Sequence, residues 1–217
     1  NLASWGHRGR GIGRSHMHHL ATFDDVALVC AADVSEDCLK KANLEYGVKG
    51  YKDWRDMLAA EQLDAVSVCT PNGLHAENSI GALAAGCHVL VEKPLAMNAT
   101  QGQAMVDAAR AADRQLVTAF QWRYHPKAQF LRQAVADGQF GKIMYMRCSA
   151  LRRRGIPNWG VFGRKDLQGG GPLIDIGVHI MEMAHYVMGS PRPIAATGHT
   201  FQYIGDRPCD VACAWAD

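Results

Sequence analysis

Residues 64–72 have the sequence Asp-Ala-Val-Ser-Val-Cys-Thr-Pro-Asn, and residues 87–94 have the sequence Cys-His-Val-Leu-Val-Glu-Lys-Pro. Each stretch is a short, almost continuous apolar run that ends in polar residues. Such runs are typical of strands in a parallel sheet that helices cover on both faces. We therefore predict an α/β fold in which both polar ends lie at the carboxyl edge of one sheet.

Similar apolar runs at 27–32 and 116–119 alternate with amphipathic stretches, as expected of βαβ units. Gly86 predicts the end of one helix, and Thr100 with Gln103 predicts a capping box at the start of the next. These signals predict a doubly wound Rossmann domain over residues 1–122.

The pattern changes in residues 123–217, which predict a second domain of the α+β class. Its predicted elements are a helix to Asp137, a strand over 143–151, a helix over 173–188, and strands over 194–203 and 211–215. Because the last of these strands has no partner after it, we expect the domain to be incomplete in this chain.

The composition favours small-molecule chemistry. The chain has 23 basic and 21 acidic residues, which are interspersed, so no charged patch predicts nucleic acid or membrane partners. Its 7 cysteines form no Cys-x-x-Cys pair and lie mostly in apolar runs, which predicts a reduced, cytoplasmic protein. We see no signal peptide or membrane span, although a start at Asn1 is compatible with a leader that has been removed.

A glycine-rich loop over residues 4–13 follows the first apolar stretch, where a dinucleotide fold places its phosphate loop. We expect Gly6 and Gly9, with His7 and Arg8 between them, to contact the pyrophosphate, because glycine lets the backbone approach closely. A purely structural glycine-rich turn is the alternative.

Asp33 follows the second predicted strand and lies 24 residues after Gly9. A carboxylate at this place can accept hydrogen bonds from the adenosine ribose hydroxyls, which favours NAD over NADP. The alternative is that Asp33 caps the next helix, a task for which Ser35 is equally suited.

Thr70, Pro71 and Asn72 follow one predicted strand, and Glu92 and Lys93 follow another, so we expect all five to contact cofactor or substrate. An amine such as that of Lys93 can stabilise alkoxide character while a hydride leaves. The alternative for Lys93 is an ordinary solvated lysine.

Asp175, His179 and Glu182 share one face of the predicted helix over 173–188. His179 can accept an alcohol proton near neutral pH, and Asp175 can orient it or hold a substrate hydroxyl. A buried structural histidine is one alternative. A metal site formed by Asp175, His179 and either Glu182 or His185 is another.

Other polar residues give weaker signals. We assign no role to His16, His18 and His19, for which packing and solvent exposure are expected. Residues 152–154 are three arginines, which with Trp159 could bind an acidic or sugar substrate. We predict Arg123 and Trp159 as substrate contacts, a solvated strand end being the alternative for the arginine run.

Taken together, these motifs resemble the Gfo/Idh/MocA family, the glucose-fructose oxidoreductase and inositol dehydrogenase group. The motifs that carry the resemblance are the glycine loop with Gly6, Gly9 and His16, then Asp33, residues 70–72 with His75, residues 82–94, and residues 169–179. The resemblance implies that Lys93 contacts substrate and nicotinamide, that Asp175 binds substrate, and that His179 is the acid/base. It also implies that His75 lies among the cofactor-binding residues.

The resemblance further implies that the second domain is built on a mostly antiparallel sheet, which commonly forms an oligomer interface, with the active site between the domains. We accordingly expect NAD, a sugar or polyol substrate, and a homo-oligomer, either dimer or tetramer. Two positions differ from the family pattern, since Ser4 replaces the usual first glycine and Glu182 replaces an Asp or Asn.

These features predict an oxidoreductase that transfers a hydride between a nicotinamide cofactor and the CH-OH group of a sugar or polyol. Two alternatives stay open: a non-catalytic regulator that senses NAD, and an NAD-dependent enzyme that cleaves glycosides after transient oxidation. The set of Lys93, Asp175 and His179 disfavours the regulator, because cofactor binding alone does not need these groups.

Overall fold

The computed structural model describes residues 2–5, 11–151 and 161–201, with the backbone alone for residues 2–5. The chain divides into two compact units. The N-terminal unit comprises residues 1–119 and 166–169, and the C-terminal unit comprises residues 120–165 and 170–217. As functional domains, the predicted ranges 1–122 and 123–217 stay a prediction.

The N-terminal unit contains a sheet of six parallel strands. The strands are β1 (Leu2–Trp5), β2 (Leu28–Ala32), β3 (Lys49–Tyr51), β4 (Ala65–Val68), β5 (His88–Val91) and β6 (Leu116–Thr118). Their order in the sheet is β3-β2-β1-β4-β5-β6, which is the order of a doubly wound dinucleotide-binding fold. The predicted Rossmann fold is confirmed.

Helices connect these strands. They are α1 (Ile12–Leu20), α2 (Glu36–Tyr46), α3 (Trp54–Ala60), α4 (His75–Ala84) and α5 (Ala99–Ala112), with a short 3₁₀ turn at Asn72–Leu74. Gly86 has a φ of +84°, which confirms the predicted end of α4. The predicted capping box is wrong, because α5 begins before Thr100. Its cap is Asn98, whose side chain accepts a hydrogen bond from the backbone N–H of Gln101 at 3.0 Å.

The apolar runs that predicted the strands form the core of this unit. Val66 and Val68 of β4 and Val89 and Val91 of β5 are buried and pack with side chains from α3, α4 and α5. Cys30 belongs to the same cluster, and burial raises the pKa of its thiol to about 12, so it stays protonated and acts as a small apolar residue.

The described part of the C-terminal unit is helical. Its main elements are a 3₁₀ turn at Gln121–Tyr124, helix α6 (Pro126–Ala136), a π-helical turn at Leu173–Gly177 and helix α8 (Val178–Val187). All but the first residue of the short helix α7 (Lys165–Gln168) belong to the N-terminal unit. Helix α8 packs against α6. The predicted helix over 173–188 is therefore present, with a wider first turn.

The predictions of strands over 143–151 and 194–203 are wrong for the residues that the structure describes. Neither 143–151 nor the described part of 194–203 is a strand. Tyr145 and Ile194 are 80% and 99% exposed, and neither segment pairs with another strand among the described residues. An apolar run becomes a strand only when a neighbour takes up its backbone hydrogen bonds. The predicted strand over 211–215 lies outside the described residues.

Over residues 11–151 and 161–201, no helix has both the length and the apolar character needed to cross a membrane.

Candidate functional site

The strand order creates a crevice at the carboxyl edge of the sheet, because the connections from β1 and β4 leave in opposite directions. The polar residues after β2, β4 and β5 follow directly at this edge. The ladder continues one residue past two of these strands: the backbone N–H of Asp33 donates to the Tyr51 carbonyl at 3.0 Å, and that of Glu92 to the Val68 carbonyl at 2.9 Å. Regular pairing therefore fixes both carboxylate-bearing residues.

A cavity of about 270 Å³ lies beside Asp33 in the N-terminal unit. Its lining includes Asp33, Lys52, Trp54, Arg55, Thr70, Pro71, Glu77 and Asn78. The volume is close to the lower end of the range for small-molecule pockets, about 300–1,000 Å³, and suits part of a dinucleotide. A carboxylate, an aromatic ring and cationic side chains around one opening are groups that can hold an adenosine moiety.

Asp33 is only 8% exposed, and its Oδ1 accepts a hydrogen bond from the backbone N–H of Ser35 at 2.8 Å. Ser35 occupies the N-cap position of α2, but its own side chain makes no capping bond to the described helix. Asp33 thus bonds the residue that precedes α2 and is not its cap, so the alternative prediction of a cap is wrong, and Asp33 also lines the cavity. The predicted ribose contact stays a prediction.

The segment after β4 is held by hydrogen bonds within the unit. Thr70 Oγ1 accepts from the side-chain amide of Asn78 at 3.2 Å, and Asn72 Nδ2 donates to the Gln168 carbonyl at 3.0 Å. Pro71 is buried between them. These contacts give the loop a defined conformation beside the cavity.

His75 joins this loop to the segment after β5. It is fully buried, with Nδ1 at 2.7 Å from the Pro94 carbonyl oxygen and Nε2 at 2.9 Å from the Thr70 carbonyl oxygen. Burial lowers the pKa of its imidazole, despite the two carbonyls. His75 thus ties two loops of the site together, and its predicted contact with a cofactor stays a prediction.

Glu92 is buried, and both its carboxylate oxygens have partners in the chain. Oε1 lies 3.0 Å from His16 Nε2, and Oε2 accepts from the backbone N–H of Lys93 at 3.1 Å. Lys93 itself is half-buried. The Glu92 carboxylate therefore stabilises the backbone at Lys93.

His16 is a functional candidate whose role the sequence motifs did not define. On the sequence it is one of three neighbouring histidines, yet His18 and His19 are exposed while His16 points into the unit. Burial disfavours its charged form, but hydrogen bonds to Cys69 and Glu92 outweigh this effect and raise the pKa of His16 to about 10. Its position on the inner face of α1 is the signal that could have separated it from the other two.

In the C-terminal unit, the structure brings His179 against aromatic rings. It is 5% exposed, it stacks on Trp122 with ring centroids 4.7 Å apart, and it meets the edge of Phe120 at 6.2 Å. Asp175 lies in the π-helical turn just before α8 and is half-buried. Such turns inside helices are frequent at functional sites.

Arg123 and Glu182 form an ion pair in the same unit, in which Arg123 Nε donates to Glu182 Oε1. The Arg123 guanidinium also lies 5.3 Å from the centre of the Tyr186 ring. Its Nε–H is thus directed at Glu182, and the predicted substrate contact of Arg123 stays a prediction.

Five predicted contacts, Gly6, His7, Arg8, Gly9 and Trp159, lie outside the described residues. Within the described ranges, no three His, Cys, Asp or Glu side chains come close enough to hold a metal ion.

The doubly wound sheet, the glycine-rich sequence before α1 and the polar carboxyl edge define a dinucleotide-binding α/β protein. Residues 6–120 match the family model described as "Oxidoreductase family, NAD-binding Rossmann fold", and residues 128–214 match the model "GFO/IDH/MocA C-terminal domain". The chain belongs to this family.

Two curated relatives carry sugar or polyol names. A D-glucoside 3-dehydrogenase of Escherichia coli is 41% identical over 209 residues, which are 95% of this chain and 60% of the relative. A myo-inositol 2-dehydrogenase of Thermotoga maritima is 34% identical over 179 residues, which are 82% of this chain and 52% of the relative. The chain thus spans between half and two thirds of the length of these relatives.

A solved structure shows the same fold. GenD2 from gentamicin A biosynthesis, crystallised in complex with NAD, is 25% identical and superposes with a TM-score of 0.76 over 88% of this chain and 54% of its own.

Proposed function

We propose that the chain forms the cofactor-binding part and a portion of the catalytic part of an NAD-dependent dehydrogenase for the CH-OH groups of sugars or polyols. The observation that carries the proposal is the polar carboxyl edge of the N-terminal sheet, where Asp33, Thr70 and Lys93 follow the ends of β2, β4 and β5. The names of the two relatives, a glucoside and an inositol dehydrogenase, support a cyclic polyhydroxy substrate.

The described residues fit a nicotinamide dinucleotide, because a buried carboxylate lines a cavity at the switch point of the sheet. Asp33 would hold the adenosine ribose, and residues 70–72 would line the path of the cofactor along the sheet edge. When bound, the cofactor supplies the hydride-accepting carbon. A carboxylate at the ribose repels a 2′-phosphate, and this supports NAD rather than NADP.

We assign the proton chemistry to His179. An imidazole can take up the hydroxyl proton of the substrate as the carbinol is oxidised. Stacking on Trp122 limits rotation of the ring, and this supports a fixed orientation for proton transfer. Lys93 would polarise the substrate oxygen, and Asp175, one helical turn before His179, would bind a substrate hydroxyl.

Substitution of Lys93 and His179 tests these roles. We expect Lys93→Met and His179→Ala to lower kcat at least about 100-fold, because each removes a group that acts on the transferred proton or its oxygen. The measurement is NADH formation with myo-inositol and methyl glucosides as substrates. Lys127→Met, which alters an exposed lysine of α6, is the control. Unchanged turnover in both variants would contradict the assignment.

Cofactor selectivity tests the role of Asp33. We expect Asp33→Ser to weaken NAD binding and to strengthen NADP binding, so that the ratio of their Kd values changes at least about tenfold, or ~1.4 kcal/mol. Tryptophan fluorescence titration measures both constants. Glu77→Gln removes a charge from the same cavity without touching the expected ribose site. Equal changes in the two variants would show a general charge effect and refute a specific ribose contact.

An NAD-dependent enzyme that cleaves glycosides is the second candidate, because the same proton-transfer groups serve transient oxidation. Net accumulation of NADH with a polyol substrate distinguishes the dehydrogenase from it. We further propose that the whole protein is cytoplasmic and forms a homo-oligomer. Sedimentation of the purified protein tests the oligomeric state, and fractionation of cells tests the location.

A further inference from the structure

We propose that His16 is a positioning residue, which joins helix α1 to the carboxylate of Glu92 and through that carboxylate fixes the backbone at Lys93. The inference rests on the proposed function to the extent that Lys93 is taken to act on the substrate. It assigns to His16 a task that its place among three neighbouring histidines does not suggest.

The imidazole of His16 connects its own helix, α1, to β4 and to the segment after β5. Its side chain is 14% exposed, and Nδ1 lies 2.7 Å from Ser67 Oγ of β4 and 3.4 Å from Cys69 Sγ just beyond that strand. Its Nε2 lies 3.0 Å from Glu92 Oε1 after β5. One side chain of the first helix after the glycine-rich loop thus contacts the ends of two central strands.

Glu92 relays this contact to Lys93. Its side chain is 10% exposed, Oε1 faces His16, and Oε2 accepts from the Lys93 backbone N–H at 3.1 Å. Because a hydrogen bond weakens steeply with angle, a carboxylate held at one oxygen also has a restricted orientation at the other. Loss of the His16 contact would leave Glu92 free to rotate and would loosen the backbone that carries Lys93.

Charge strengthens the hydrogen bond between His16 and Glu92. Hydrogen bonds to Cys69 and Glu92 raise the pKa of His16 to about 10 although burial opposes the charged form. Because a carboxylate only accepts, the Nε2 atom of His16 carries the hydrogen in this pair, and Nε2–H donates to Glu92 Oε1. Charge-assisted hydrogen bonds of this type are shorter and about twice as strong as neutral ones.

Two amide substitutions distinguish the Nε2 contact to Glu92 from the Nδ1 contact to Ser67. In His16→Gln the longer side chain can place an N–H donor where Nε2 stands, which keeps the Glu92 link. In His16→Asn the shorter side chain can replace only the Nδ1 contact to Ser67. His18→Asn makes the same chemical change at an exposed position of the same helix and is the control.

The first readout is the amide resonance of Lys93 in a ¹H–¹⁵N spectrum of the full chain, assigned by comparison with Lys93→Arg. We expect His16→Asn to shift this resonance and to accelerate its hydrogen exchange at least about tenfold. His16→Gln and His18→Asn should leave the signal near its original position. This readout needs no substrate, so it tests the link to Lys93 even if no polyol is oxidised.

The second readout is turnover. We expect His16→Asn to lower kcat by about 10-fold to 100-fold, as a misplaced catalytic group does, with little change in the KM of the polyol. His16→Gln should restore most of the rate. An unchanged Lys93 resonance in His16→Asn, together with a lower unfolding temperature, would show that His16 only packs the unit and would overturn the proposal.

Discussion

At the scale of single residues, the buried carboxylate of Glu182 is compensated by one cation, that of Arg123. Its side chain is 8% exposed, Oε1 accepts from Arg123, and Oε2 is buried without a hydrogen-bond partner among the described residues. A carboxylate in such a place is costly unless a cation compensates it. Arg123, whose side chain is 42% exposed, provides that cation at the border between solvent and interior.

We therefore expect Arg123→Met to lower the free energy of unfolding by about 1–3 kcal/mol, since exposure of the arginine moderates the cost of an unpaired buried charge. The double variant Arg123→Met with Glu182→Gln should lose less, because no charge remains buried. Urea unfolding measures both. Arg110→Met, which breaks an exposed pair with Asp107, should change stability by less than about 0.5 kcal/mol. Equal losses for Arg123→Met and Arg110→Met would contradict this account.

At the scale of elements, two helical glycines have different surroundings. A Cβ added at Gly81 of α4 would overlap the ring of Trp54, whereas one added at Gly102 of α5 would meet Leu95 at an ordinary 3.6 Å. The close approach of α4 to Trp54 of α3 thus depends on the missing side chain at position 81. Position 102 carries no such requirement.

We expect Gly81→Ala to destabilise the protein by about 1–3 kcal/mol through overpacking. Gly102→Ala should stabilise it by about 0.5–1 kcal/mol, because alanine loses less backbone entropy in a helix. Thermal unfolding of the two variants side by side gives the comparison. If both glycines responded alike, the contact with Trp54 would not control the packing of α4.

At the scale of the whole molecule, the proposed dinucleotide contacts belong to the N-terminal unit. A ligand that binds only the folded state stabilises it by about 2.7 kcal/mol at 100 times its Kd. With NAD at that concentration, we expect hydrogen exchange to slow most in peptides that cover β4, β5 and the loops after them. Peptides from α6 should change less.

Mass spectrometry of the exchanged peptides measures the effect, and Asp33→Ser at the same NAD concentration is the control, with weaker protection expected. Protection confined to α6 and α8 would contradict the assignment of the cofactor to the N-terminal sheet.

The sequence by itself determined the Rossmann fold and the polar edge of its sheet. Apolar strands and the residues that follow them are local patterns, and parallel pairing brings their carboxyl ends to one edge whatever the details of packing. For this reason the local sequence suffices to place Asp33, Thr70 and Glu92 at that edge. The helix over 173–188 was predictable for the same reason, since its apolar period and its glycine end are also local.

Only the tertiary structure decided which of several similar residues are enclosed and what they touch. His16 and Glu92 are separated by 76 positions in the chain, so no local pattern could pair them. The cap at Asn98 and the absence of a strand over 143–151 were decided in the same way. A cap depends on backbone geometry, and a strand depends on a neighbour that accepts its hydrogen bonds, and neither is a property of the segment alone.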